Sequence, residues 1–565
     1  MGLSYDEAMQ ERLEKIIKEA VSSFGVENPE VSIEHPELLS NGDYSTSAAL
    51  AYAKELGKSP KEAAQDIKQF IENNKIEEIE KIEIAGPGFI NFYLTDDFFR
   101  KNLEKIINDG DDFGRGNSLS GEKIMVEHTD PNPFKEFHIG HLMPITIGSA
   151  VSNIFSWSGA EVKQACYQGD VGMHVAKAIA YALENDPEGR GLSSGEDYAK
   201  GNKKAEEDDD FKQKVSEINK KIYSKEDKEI NDIYDLGRQK SLDYFESLYK
   251  RIGVNFDYNF FERETAEIGK RVVVENIGDV FEVSENAVVF HAEKYDPTLH
   301  TRVFINSHGL PVYEAKDLGL AKLKFDKFSY TKSIIVTGNE IKDYFRVVLA
   351  AMKFVFPELR DKTKHLPHGM LRLPSGKMSS RTGDVITAEW LIEAVKAVIG
   401  SKGLLDEMGE SEKEETKEAI AIGAIKYMIL RQSIGNDIVF DFEKSLSIDG
   451  DSGPYLQYAY ARTNSLLAKA GKKGDLGGER KSLHEIEKLL YRFPEIIERA
   501  MKDYAPNLIL TYLVELAGSF NNFYAHEKII SDDNESQYKI AITEAFRIVL
   551  KNGLTVLGMP MPDRM

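Results

Sequence analysis

The segment Lys123-Ile124-Met125-Val126-Glu127 is a short apolar run that breaks at Asp130-Pro131-Asn132-Pro133, and Gly140 to Ser158 then carries a helical period. A second apolar run, from about Ala160 to Tyr167, is followed by Gln168-Gly169-Asp170 and another helical stretch. Strand, loop, helix, strand is the order of parallel strands joined by a crossover helix, and it favours a parallel α/β sheet for this part of the chain. The pattern resumes at Arg302-Val303-Phe304-Ile305 and Ser333-Ile334-Ile335-Val336 and closes near Thr387. From Asn185 to Asp232 the chain is highly charged, with Glu206-Glu207-Asp208-Asp209-Asp210 at its middle. Such a stretch reads as a solvated insertion rather than an acidic binding site.

A chain of 565 residues exceeds one ordinary core and calls for about three domains. Ahead of the sheet, Tyr5 to Phe24 and Ser59 to Asn74 repeat apolar residues three and four apart, as in Ala63, Ile67, Phe70 and Ile71, which predicts helices. Ile82 and Ile84, then Phe89, Ile90 and Phe92, flank Gly86-Pro87-Gly88 and predict two strands joined by a turn. Beyond Thr387 the period is almost wholly helical, as in Tyr455 to Ala470 and Leu508 to Tyr524, which predicts a bundle. The expected division is a multidomain chain: an α+β N-terminal domain over 1–115, an α/β parallel-sheet domain over 116–387 with a charged insertion at about 185–300, and an all-α bundle over 388–565. The single cysteine, Cys166, excludes an internal disulfide and a Cys-rich zinc site, and fits a reducing, cytoplasmic setting. No apolar stretch is long enough to span a bilayer, so no membrane partner is expected. A formal charge of 72 − 94 = −22 argues against broad DNA coating, yet leaves room for a local basic groove.

His138-Ile139-Gly140-His141 opens the first helix of the sheet domain, where free backbone N–H groups and the helix dipole favour phosphate. Gly140 permits close backbone approach, and both imidazoles can donate to a nucleotide. Alone, these four residues fit two unremarkable loop histidines equally well. Leu373-Pro374-Ser375-Gly376-Lys377-Met378-Ser379-Ser380-Arg381-Thr382-Gly383 places a lysine, two hydroxyls and an arginine on a glycine-flanked loop after the last α/β strand. A loop of this chemistry can clamp a triphosphate, with Lys377 stabilising a departing pyrophosphate. A plain surface lysine is the competing reading, and the partner motif counts against it.

Together the two segments resemble the HIGH and KMSKS signatures of class I aminoacyl-tRNA synthetases, the second ending in arginine. Val126-Glu127 with Pro131-Asn132 and Phe137, Gly169-Asp170 with Gly172, Val312-Tyr313 with Lys316-Asp317, and Asp451-Ser452-Gly453-Pro454-Tyr455-Leu456-Gln457-Tyr458-Ala459 are similar to arginyl-tRNA synthetases in particular. So are Gly42-Asp43-Tyr44 and the segment from Gly86 to Phe92, in the family's additional N-terminal domain. The resemblance covers nearly the whole chain. It implies a Rossmann-like catalytic domain, an anticodon-binding bundle, and ATP, arginine and tRNA(Arg) as partners of a monomer, with Mg²⁺ carried on the phosphates and no metal site in the protein. It implies His138, His141 and Lys377 as catalytic residues, with Gly140, Gly369, Met370, Met378, Ser379 and Ser380 joining them around ATP. Glu127, Asn132, Tyr313 and Asp317 are implied around arginine, where carboxylates suit the planar donor fork of a guanidinium. Tyr44, Phe89, Asn91, Tyr455, Gln457, Tyr458, Arg462 and Met565 are implied against tRNA. Competing readings are an ion-paired acid near Lys316 for Asp317, packing for Tyr313, and bundle core for Tyr455 and Tyr458.

Two departures stand out. Where the family usually has a glutamine, the best register of Gly338-Asn339-Glu340-Ile341-Lys342-Asp343-Tyr344 places Ile341; and Leu142-Met143-Pro144 stands where many members have Leu-Arg-Ser. Pro144 is expected in the first turn, where N–H groups lack partners anyway. The motif separation, 377 − 138 = 239 positions, leaves little room for an editing domain. A site of buried acids also rejects uncharged analogues strongly. The implied reaction is attack of the arginine carboxylate on the α-phosphorus of ATP, then transfer of arginine to the terminal ribose of tRNA. The alternatives are a class I synthetase for another amino acid, a small nucleotidylyltransferase, and a catalytically silent tRNA-binding or regulatory paralogue.

Overall fold

Five parallel strands lie in the order Thr363–His368, Lys332–Gly338, Lys123–His128, Glu161–Gln168, Tyr258–Phe261. They belong to a computed structural model that describes residues 9–186, 192, 195–373, 386–402, 405–471, 473–477, 480, 482–532 and 535–565. Ile124, Met125 and Val126 of the central strand are all buried, which is why that run is continuously apolar rather than alternating. The chain leaves this strand through the helix Ile139–Trp157 toward Glu161–Gln168, and returns on its other side only at Lys332–Gly338. The strand order therefore reverses between Lys123–His128 and Lys332–Gly338, and the crevice beyond their carboxyl ends is where a fold of this kind binds ligands.

Three expectations are corrected. Arg302–Ile305 is not in the parallel sheet; it pairs antiparallel with Ala287–Phe290 in a separate three-stranded sheet. A four-residue apolar run does not encode its partner. The insertion is not continuous over 185–300, because Tyr258–Phe261 within it is the fifth parallel strand. The charged stretch is folded: helices Glu196–Glu207, Asp209–Ser224 and Lys228–Ile252 bury Phe211, Val215, Ile218, Ile222 and Ile233 against Val175 and Ile179. Its acidic run is a junction between two helices. Asp208 caps the second by accepting from the Phe211 N–H at 3.0 Å, and Asp209 and Asp210 occupy the first turn, where the dipole favours negative charge. Pro144 is inside the Ile139–Trp157 helix, past its first turn, so the helix forgoes the bond that residue 144 would make to the Gly140 carbonyl.

The helix Tyr313–Lys327, which carries two of the expected arginine residues, crosses Glu262–Glu275 at close range. A Cβ on Gly269 would stand 1.9 Å from the Ala315 carbonyl oxygen, and one on Gly319 would stand 2.2 Å from that of Thr265. Only glycine fits at either position, and the crossing fixes where Tyr313 and Asp317 point.

Before the sheet, helices Met9–Ser23 and Pro60–Asn73 cover a four-stranded antiparallel sheet that contains the two expected strands, Ile79–Ala85 and Phe89–Leu94. Ser59 and Glu62 cap the second helix reciprocally. After the sheet, the helices Ala388–Ser401, Glu410–Leu430, Gly453–Ala470, Phe493–Asp503, Pro506–His526 and Ser536–Val556 form the expected bundle. Its core is continuous with that of the sheet domain, joining Leu391, Leu456 and Phe520 to Phe137, Leu142 and Ile145. The bundle region is not wholly helical, since Ile438–Val439 pairs with Leu371–Arg372. Among the described residues, no helix is long and apolar enough to cross a membrane.

Candidate active site

At the carboxyl end of Lys123–His128 the backbone turns sharply. Thr129, Asp130 and Phe134 have φ of 81°, 45° and 68°, an unfavourable region for residues with a side chain. The turn is held by Asp130, which accepts from the Tyr167 N–H at 2.7 Å, and by the Phe134 N–H, which donates to Ser241 Oγ at 2.9 Å. It delivers the chain to His138, the N-cap of Ile139–Trp157. His138 Nδ1 accepts from the Gly140 N–H and His141 Nδ1 accepts from the His138 N–H, both at 3.1 Å, and the two rings stack at 3.8 Å. Burial, with nearby Lys135, lowers the pKa of His138; burial, then His138 and Lys135, lowers that of His141 further. Both rings are thus neutral near pH 7, and with Nδ1 accepting, the proton is on Nε2. The helix start offers two imidazole N–H donors beside its own free amides.

Lys377, Met378, Ser379 and Ser380 lie outside the described residues. Both flanks of that segment reach the same edge. On one side Leu371–Arg372 follows the carboxyl end of Thr363–His368. On the other, the Ile139 N–H donates to Ile386 O at 3.0 Å and the Ala388 N–H donates to Phe137 O at 2.9 Å. Gly369 and Met370 sit between, the Gly369 N–H bound to Ile434 O at 3.0 Å and the Met370 N–H to Asp437 Oδ1 at 2.8 Å.

Glu127 is buried in the central strand, and its carboxylate accepts from Lys324 Nζ at 2.5 Å; the ammonium also donates to Ser333 Oγ at 3.2 Å. Asp317 accepts from the Tyr344 hydroxyl. Burial is the main reason its pKa is pushed up to about 8, aided by Glu127 and opposed by the Tyr344 bond. Lys316 does not pair with Asp317. It binds Glu262 at 2.7 Å in a second buried pair. Asn132 stands beside Glu262 and Gly169, where a Cβ on Gly169 would come within 2.2 Å of Asn132 Oδ1. Tyr313 is 61% exposed, with Lys316 Nζ 5.1 Å from its ring, so packing is not its role. A gap with room for about one water lies between Glu127, Asp317, Lys324 and Phe345. Sequence reading missed Lys324, Glu262 and Tyr344. Lys324 is two turns after Asp317 on one helix face, but its partner is 197 positions away and left no local signal.

Three family models match in succession: "Arginyl tRNA synthetase N terminal domain" over 9–94, "tRNA synthetases class I (R), catalytic domain" over 103–442, and "DALR anticodon binding domain" over 456–565. The arginine–tRNA ligase of Clostridium acetobutylicum is 30% identical, with 100% of both chains covered. That of Treponema denticola is 30% identical over 98% of this chain and 99% of its own. The chain belongs to the arginyl-tRNA synthetase family. Its fold matches that of the Thermus thermophilus arginyl-tRNA synthetase with a TM-score of 0.81 at 22% identity, covering 99% of this chain and 100% of that one.

In this arginyl-tRNA synthetase fold the residues expected against tRNA divide sharply. Tyr455, Tyr458 and Arg462 share a half-exposed face of Gly453–Ala470. The Arg462 guanidinium lies 4.7 Å from the Tyr458 ring and 5.2 Å from that of Tyr524, and donates to Asn521, which in turn donates to the Tyr455 hydroxyl. Asn521 and Tyr524, on a different helix, were not anticipated. Phe89 is exposed at the start of its strand, and Met565 is half-buried against the bundle. The other three are buried. Tyr44 is fully buried and its hydroxyl donates to Glu495 at 2.5 Å; Asn91 is buried and accepts from Ser45 Oγ at 2.7 Å. Gln457 is buried and donates to Ala419 O and Pro560 O at 2.9 and 2.7 Å. Their polar groups serve interior hydrogen bonds, a use that residue type alone does not reveal.

Proposed function

We propose that the chain activates arginine with ATP and transfers it to the 3′-terminal ribose of tRNA(Arg), and that the residues at the carboxyl edge of the sheet do the chemistry. The observation that carries this is the convergence there of two neutral imidazole donors, a helix N-terminus, and a buried carboxyl whose one hydrogen-bond donor among the described residues is a tyrosine hydroxyl. Glu127 is already neutralised by Lys324, so Asp317 supplies the charge that a guanidinium requires. Asn132 and Tyr313 hold the ammonium end. An arginine carboxylate oxygen then attacks the α-phosphorus, and the bond to the bridging oxygen breaks as pyrophosphate leaves. The Nε2–H groups of His138 and His141 stabilise phosphate oxygens, and Gly140 lets the backbone approach. Lys377, with Met378, Ser379 and Ser380, holds the departing pyrophosphate, and Gly369 and Met370 border the nucleotide. The tRNA ribose hydroxyl next attacks the arginyl carbonyl and AMP departs. Mg²⁺ arrives on the triphosphate, the form in which it neutralises phosphate charge. We place the tRNA anticodon on the Tyr455, Tyr458, Arg462 face, where rings and a guanidinium suit unstacked bases, with Met565 at its border and Phe89 against a second part of the tRNA. The enzyme is a cytoplasmic monomer.

The test is aminoacylation of total tRNA with each labelled amino acid in turn, with ATP and Mg²⁺. Arginine alone is expected to give labelled tRNA. Another amino acid would overturn the pocket, and no product would overturn the activity.

A further inference from the structure

Ile341 occupies the position where the family's glutamine is expected, and in the structure it ends a short turn, exposed, with no polar group to offer. One turn later, on the helix Lys342–Val355, the Tyr344 hydroxyl donates to Asp317 Oδ2. The tyrosine is fixed in place. Its ring meets Phe345 edge-on at 5.3 Å, and the Arg302 guanidinium, itself paired with Glu314 at 3.0 Å, lies 5.4 Å over it. Among the described residues, no other donor reaches the Asp317 carboxylate.

We infer that Tyr344 is a positioning residue for arginine recognition: its hydroxyl holds the Asp317 carboxylate in the orientation that receives the guanidinium, a task for which position 341 has no polar group in this chain. The inference rests on the arginine pocket proposed above. A carboxylate must present its two oxygens in the plane of the guanidinium to pair bidentately. Fixing one lone pair of Oδ2 against a rigid phenol sets that plane while leaving the other acceptor sites free. The same bond favours the ionised carboxylate over the neutral acid, and so acts against the other influences on Asp317. The groups facing Asp317 are Glu127 and Asp130 from the central strand and its loop, Glu262 from the crossing helix, Tyr167 from the adjacent strand, and Lys324 from its own helix. Acids outnumber cations in this set, so removing the one neutral donor moves Asp317 further toward its protonated form.

The experiment is steady-state aminoacylation by Tyr344→Phe between pH 6.5 and 9, with ATP and tRNA saturating. The variant keeps the ring and loses only the hydroxyl. The arginine KM is expected to rise about tenfold at pH 7 and to approach the wild-type value toward pH 9, while kcat and the ATP KM stay within about twofold. A KM and pH profile matching wild type would overturn the role, as would a fall in kcat or a rise in the ATP KM as large as the rise in the arginine KM, which is what a merely structural loss gives. Wild type that charges no arginine would instead overturn the activity on which the role rests.

Discussion

At Asp317 the structure turns a charge-recognition problem into a protonation problem. With its pKa near 8, the carboxyl is mostly neutral in the free enzyme at pH 7, whereas a bound guanidinium stabilises the anion. With Asp317 receiving the guanidinium as proposed, arginine binding releases a proton, and arginine affinity should rise close to tenfold per pH unit up to about pH 8 and then level off. Asp317→Asn should weaken arginine binding and flatten that profile; a steep profile surviving in the variant would assign the proton elsewhere. Folding linkage has the opposite sign. A carboxyl whose folded pKa is raised contributes fully below the unfolded value near 4, and that contribution is lost as pH rises through 8. Glu127 behaves differently, because its partner is as buried as it is. Glu127→Gln leaves the Lys324 ammonium without its counter-charge, a change that costs about 3–5 kcal/mol in comparable buried pairs. Its thermal midpoint should fall by several degrees, and adding Lys324→Met should recover most of the loss. No recovery in the double variant would show that the pair is not the cause.

On the scale of elements, the helix Ile139–Trp157 and the strands around it were legible because their apolar patterns match strand and helix periods over many residues. The pairing of the two histidines at a helix start was legible because the residues of a helix cap are adjacent in sequence. The proposed arginine pocket was only half legible. Glu127 and Asp317 stand out as acids in apolar segments, but Lys324, Tyr344 and Glu262 reach them through the fold, across strand order that no local pattern encodes. The tail after Gly558 shows the same limit. Lys426, 1% exposed, donates to the Gly558 carbonyl at 2.6 Å, and Gln457 donates to that of Pro560. Burial alone pulls the Lys426 pKa down to about 8. Its folded pKa lies below the unfolded value near 10.5, so the cost of burying the ammonium is full below pH 8 and fades as pH rises toward 10.5. Lys426→Met removes that cost along with one hydrogen bond worth about 1 kcal/mol. The variant should melt above wild type at pH 7, with the gap closing by pH 10; a variant melting below wild type at pH 7 would show the bond to Gly558 outweighing the buried charge.

For the whole molecule, the decisive contact is between the N-terminal domain and the bundle. His35 binds Asp43 O at 2.6 Å and Glu495 Oε2 at 2.9 Å, Tyr44 donates to the other Glu495 oxygen, and Tyr491 is part of the N-terminal core. Arg480 donates to Asp96 at 2.7 Å, and Lys551 binds Asp111 at 2.7 Å. If Phe89 and the Tyr455 face touch separate parts of one tRNA, this contact sets the distance between them. Glu495→Ala strands the Tyr44 hydroxyl and one nitrogen of His35, at about 1–3 kcal/mol for a buried polar group left unmade. The tRNA KM should rise several-fold, while the arginine KM at saturating tRNA stays within about twofold, since the arginine pocket is built from other elements. Tyr44→Phe separates the two possible reasons for that residue's importance. If Tyr44 acts only by holding Glu495, the double variant should be no worse than Glu495→Ala, because both changes break one interaction. If Tyr44 touches tRNA itself, the two effects on tRNA KM should multiply, and the latch would be only part of its work.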